Sequence, residues 1–147
     1  MNLIWKFFFG MFLFLGPNLT SQSQDINLSV IANGSGIPAE MNFNQLKSAM
    51  KGEKQRWPDG SKVIIALMKS TTQIGVSTSK KVYNMSADAL NKYWLALVFQ
   101  GKADAPNFFN SESELEEFIA QTKGAIGIVN QVRPNSKQII VDGKKFL

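Results

Sequence analysis

Two short stretches carry residue types able to hold a small anion without a counter-charge. Ser70-Thr71-Thr72 follows Val63 to Met68, an unbroken apolar run rich in β-branched residues. If the run is a strand and the three hydroxyl residues open a helix, their side chains and the first-turn amides offer donors where open α/β sheets take ligands. The second stretch, Asn33-Gly34-Ser35-Gly36, is a glycine-rich loop of the kind whose successive amides form an anion nest. Each also has a plainer reading, the first as a helix cap and the second as a flexible turn.

Most other chemistry is excluded by composition. The 147 residues include no His and no Cys, so thiolate nucleophiles, imidazole bases, disulfides and the commonest zinc ligands are all missing. The carboxylates of Glu112 to Glu117 have no acid–base partner at a recognisable spacing. A non-enzymatic chain with no cofactor and no metal is expected. The formal net charge of +5 favours anionic ligands in a general way, but the lysines are scattered without interleaved aromatics, which argues against nucleic acid.

The N-terminus reads as a secretory leader. Lys6 precedes the apolar run Phe7 to Leu15, a Gly16-Pro17 break follows, and Ser21 and Ser23 supply small residues before a cut. Residues 1–23 are expected to be a signal peptide and 24–147 one domain, with a retained membrane anchor as the alternative. A periplasmic or secreted location follows from cleavage.

The elements that must position the two candidate stretches alternate in type. Asp25 to Asn33 reads as a strand with Ile26, Leu28 and Val30 on one face. A helix follows, with Asn42 as cap, Gln45 completing a capping box, Met41 stapled to Leu46, and Gly52 at its end. Trp57-Pro58-Asp59-Gly60 is a tight turn into the apolar strand. Thr71 to Asn84 keeps a helical spacing of Ile74, Thr78 and Val82, although Gly75 weakens it. Ser86 opens a firmer helix that turns Leu90, Tyr93, Trp94, Leu97 and Val98 inward and stops at Gln100-Gly101. After a loop from Ala103 to Asn110, Ser111 and Glu114 box another helix, closed by Gly124. Ala125 to Val129 and Lys137 to Asp142 are the last strands. Such alternation argues for a single layered α/β domain.

The order of these signals resembles a family. Val30-Ile31-Ala32-Asn33, the Leu46 to Gly52 helix end, Trp57-Pro58-Asp59-Gly60 and the Lys62 to Met68 strand come first. Tyr93-Trp94, Phe99-Gln100-Gly101-Lys102 and Gly124-Ala125-Ile126-Gly127-Ile128-Val129 follow. Together they are similar to the phosphate-type periplasmic substrate-binding proteins of ABC transporters. The resemblance implies one α/β/α layered lobe of the type II periplasmic binding protein-like fold, with a mixed sheet. It also implies capture of inorganic phosphate or a similar oxyanion by Ser70, Thr71 and Thr72 and by Asn33, Gly34 and Ser35. Gln73 stands where the family commonly has an Arg, and the chain amounts to one of the family's two lobes. A second wall would then come from an ABC transporter membrane component or from a homodimer. The alternative is an envelope interaction module that kept the lobe without the ligand.

Overall fold

A computed structural model describes Gly16 and residues 26–147; the expected signal peptide lies outside the described residues apart from Gly16. Six strands and four helices follow in the order β1 (Ser29–Ala32), β2 (Glu40–Met41), α1 (Phe43–Met50), β3 (Ile64–Met68), α2 (Gln73–Lys81), α3 (Ala87–Phe99), β4 (Asn107–Phe109), α4 (Glu112–Gln121), β5 (Ala125–Val129) and β6 (Lys137–Val141). They form one mixed sheet ordered β2-β6-β1-β5-β3-β4. β3 is parallel to β4 and β5, whereas β1 is antiparallel to both of its neighbours, β5 and β6.

The sheet is covered on both faces, which is why its central strands are apolar throughout; every residue of β1 and β5 is buried. On one face Leu28, Val30, Ile65, Leu67, Ile126 and Ile128 pack under Leu46 and Met50 of α1 and Leu90 and Trp94 of α3. On the other, Ile31, Ala66, Met68, Ala125 and Val129 meet Leu115 and Ile119 of α4. The result is the expected α/β/α layering. Gly127 lets α4 lie close, since a Cβ there would stand 2.8 Å from the Ile119 side chain.

Most local signals form as read; at α4 only half of the expected box does, the Ser111 hydroxyl accepting from the Glu114 amide at 3.2 Å. Asn42 and Gln45 make a full capping box, with both bonds at 2.8 Å. Gly52, at φ +77°, ends α1 with its amide on Ala49 and the next amide on Ser48, the paired-bond C-cap that needs a left-handed residue. The phenols of Tyr83 and Tyr93 donate to the carbonyls of Met50 (2.5 Å) and Lys51 (2.7 Å), so two acceptors at the end of α1 are satisfied by side chains. Burial drives the Tyr83 pKa strongly upward.

Four expectations change. α2 starts at Gln73 with Thr72 as its cap, not at Thr71. Val98 is 41% exposed because the inner stripe of α3 runs through buried Leu90 and Trp94 and half-buried Leu97, which leaves Val98 outside it. The loop containing Pro106 yields a three-residue edge strand, β4, paired to β3. α4 stops at Gln121, and Gly124 instead takes φ +84° just before β5.

Candidate functional site

The parallel strands β3, β4 and β5 all run toward the same edge of the sheet, so α2 and α4 both begin there. Ser70, Thr71 and Thr72 bridge β3 and α2. Thr72 is the cap: its hydroxyl accepts from the Gly75 amide at 3.0 Å and donates to the Lys69 carbonyl at 2.7 Å. Gly75 has a structural reason. A Cβ there would lie 2.1 Å from the Lys69 oxygen and 2.8 Å from that of Met68, so only glycine lets the helix start press onto the strand end. Ser70 is half-buried and Thr71 exposed.

Beside this cap lies a hollow of about 410 Å³, lined by Asn27, Thr72, Gln73, Ile74, Glu112 and Asn130, with Ile26 at its margin. Gln73 and Ile74 are the first two residues of α2, and amides at those positions lack acceptors inside a helix. Among the described residues no Lys or Arg lines the hollow. One carboxylate does: Glu112 Oε1 accepts from the amides of Asn130 (2.5 Å) and Gln131 (3.2 Å). The wall therefore combines open neutral donors with a carboxylate already holding two amides. Sequence reading missed Glu112 and Asn130, because their contact joins the start of α4 to the end of β5. No local spacing signals it.

Asn33, Gly34 and Ser35 are at the opposite edge. Ala32 pairs with Ile126 and Ser29 with Val129, so the loop after β1 sits beside the start of β5, one strand length from Ser70. The structure does not bring the two stretches together. The Asn33 loop is also occupied with structural bonds. The Asn33 amide donates to Ala125 (2.9 Å), its carbonyl accepts from Gly124 (2.7 Å), and its side chain donates to Ala120 (3.1 Å). The Lys137 ammonium donates to the carbonyls of Gly34 (2.9 Å) and Ile37 (2.6 Å), so acceptors rather than donors converge there.

The Trp57-Pro58-Asp59-Gly60 turn docks at this same edge. Trp57 is buried and its indole N–H donates to the Gly124 carbonyl at 2.9 Å. A Cβ on Gly36 would fall on the Asp59 carboxyl, so the two turns interlock. Donation from the Ser61 hydroxyl and amide, aided by Lys123 at 3.6 Å, lowers the Asp59 pKa. This is a structural clasp, as expected for Trp57.

Among the described residues no helix is long and apolar enough to cross a membrane, and no group of three or more His, Cys, Asp or Glu is placed to hold a metal. No protein-family model matches the chain, and no curated protein does. Solved structures do share the fold. An ABC-type phosphate transport receptor from Vibrio cholerae superposes with a TM-score of 0.63 at 15% identity, over 80% of this chain and 47% of that one. PstS from Borrelia burgdorferi gives 0.59 at 16% identity, over 80% and 48%. A Clostridium perfringens structure solved with bound phosphate gives 0.58 at 11%, over 80% and 45%. The chain thus spans about half the length of the receptors it matches, and its fold is one lobe of theirs.

Proposed function

We propose that this chain is a non-enzymatic solute-binding domain of the periplasm or cell exterior that captures phosphate or a similar oxyanion for ABC-type uptake. One observation carries the reading: Ser70, Thr71 and Thr72 lead from the C-terminal end of β3 into α2, and Thr72 lines a hollow together with the first two residues of the helix. Hydroxyls and helix-start amides bind anions reversibly without a counter-charge. Ser70, Thr71 and Thr72 are the stretch proposed, with Ser70 and Thr71 supplying the hydroxyl donors, because the Thr72 amide and hydroxyl both already donate to the Lys69 carbonyl and fix the helix start. Asn33, Gly34 and Ser35 lie too far away to share that anion and would contact a second one at most. Half of a two-lobe receptor leaves the hollow open on one side, so a second chain or a transporter component would supply the facing wall.

Thermal melting across a phosphate titration tests this. A ligand bound by the native state alone stabilises it by RT ln(1 + [L]/Kd), about 2.7 kcal/mol at a hundredfold excess over Kd. No shift at millimolar phosphate, sulfate or molybdate refutes the proposal. A second reading, an envelope interaction module that no longer binds solute, is favoured by the Glu112 carboxylate already seated on the Asn130 and Gln131 amides. It requires a flat titration together with a defined partner.

A further inference from the structure

α3 carries apolar side chains on its outer face as well as its inner one. Leu95 is 68% exposed, Val98 41% and Phe99 91%. At spacings of three and four residues they form one stripe; Lys92, paired to Asp88 at 2.9 Å, precedes it on the helix, and Lys102 follows just past the left-handed Gly101 that ends α3. The end of the stripe meets further cations. Val98 and Lys102 border a hollow with Lys54 and Lys62, and the Lys102 carbonyl accepts from the Gln55 side chain at 2.8 Å, which fixes the two segments side by side. Asp104, paired to Lys62, is the one carboxylate among the described residues that lines that hollow.

From this pairing of protruding apolar side chains with a lysine rim, we propose that the outer face of α3 docks reversibly on an anionic membrane surface. Leu95 and Phe99 would enter the headgroup–acyl boundary while Lys54 and Lys102 meet lipid phosphates. Two features select this occupant. A second copy packed on the same face would set one lysine-bearing rim against another, which opposes a dimer. A stable protein complex buries about 800 Å² on each partner, far more than three side chains supply, whereas weak lipid partitioning needs only a small insert with cationic flanks.

The chain has no cysteine, so single-cysteine labels are clean. An environment-sensitive dye on A96C, beside the stripe, is compared with the same dye on E117C of α4, which covers the other sheet face. Vesicles of about 30 mol % phosphatidylglycerol in phosphatidylcholine should shift the A96C emission and leave E117C unchanged, whatever the N-terminal residues do. Phe99→Ser should cut partitioning about tenfold or more, and Lys54→Gln and Lys102→Gln about fivefold each. High salt should weaken binding as well. Equal binding to pure phosphatidylcholine, an equal response at E117C, or no loss in Phe99→Ser overturns the proposal. So does a Phe99-dependent dimer in sedimentation equilibrium, or a silent vesicle assay with A96C cross-linking to one protein partner.

Discussion

Gly60 and Gly124 offer a matched pair of perturbations. Their φ angles are +85° and +84°, so alanine meets the same left-handed backbone penalty at both. Their surroundings differ: nothing lies within 4 Å of a Cβ on Gly60, whereas on Gly124 it would stand 2.1 Å from the Lys62 carbonyl oxygen. Gly60→Ala should therefore cost about 1–2 kcal/mol, the left-handed term alone. In Gly124→Ala the backbone must also move, at a point where three hydrogen bonds meet. The Gly124 amide donates to Asn33 at 2.7 Å, and its carbonyl accepts from Ile64 at 3.1 Å and from Trp57 at 2.9 Å. Losing two of them adds about 1–3 kcal/mol. Differential scanning calorimetry reads the gap. At about 4 °C per kcal/mol for a domain of this size, Gly124→Ala should melt roughly 4–12 °C below Gly60→Ala. Coincident melting points for the two variants would show that the clasp does not hold this edge of the sheet.

Thr72→Val removes both the cap of α2 and its bond to Lys69, so the melting point should fall by about 4 °C, with Thr72→Ser recovering most of it. If the oxyanion reading holds, Ser70→Ala and Thr71→Val, which leave that cap in place, flatten the phosphate-dependent melting shift. Tyr83→Phe strips the Met50 carbonyl of its buried donor and should cost about 1 kcal/mol at neutral pH. Because burial raises the folded-state pKa of Tyr83 above its unfolded value near 10, stability is complete below about pH 10 and is lost as pH rises further; urea melts should show less of that loss in Tyr83→Phe. The Asp59 pKa is lowered on folding, so its contribution is present above the ordinary carboxylate range and lost as pH falls. An NMR titration should place its midpoint below that of a free aspartate, and Ser61→Ala should move it back up.

Much of this architecture was legible because it is written locally. Asn42 with Gln45, Ser86, and Ser111 with Glu114 each satisfy helix amides within three residues, so the helix starts can be read from the chain alone. β3 and β5 announce themselves as buried apolar runs, and β1 by the alternation that puts Leu28 and Val30 on one face. β4 does not, being three largely exposed residues between Pro106 and Asn110 whose strand character comes from pairing with β3. Val98 was misplaced because a helix with apolar residues on two faces does not reveal which face is inner. The larger gap concerns the site. Alternating strands and helices suggest parallel pairing, under which the loops after β1 and β3 would share an edge. β1 runs the other way, between β5 and β6, and carries Asn33-Gly34-Ser35 to the far side.

That reversal separates what identifies the lobe from what it would bind. Trp57, Gly36, Asn33 and Gly124 interlock at one edge of the sheet and fix how the turn before β3 meets the start of β5. Thr72, Gln73, Glu112 and Asn130 lie at the other edge, and none of the clasp bonds reaches them. A change in the hollow can therefore leave the clasp and the strand order intact, because distant sites without shared partners act nearly independently. It follows that the motifs that make the fold recognisable carry little information about the ligand. Gln73 at the helix start and Glu112 on two amides share no bond with the clasp. Binding at Ser70, Thr71 and Thr72 then turns on whether neutral donors outweigh one nearby carboxylate, and Glu112→Gln isolates that balance. It keeps an oxygen for the Asn130 and Gln131 amides while removing the charge. A steeper phosphate response in Glu112→Gln than in the wild type would show the hollow to be an anion site held back by its own wall.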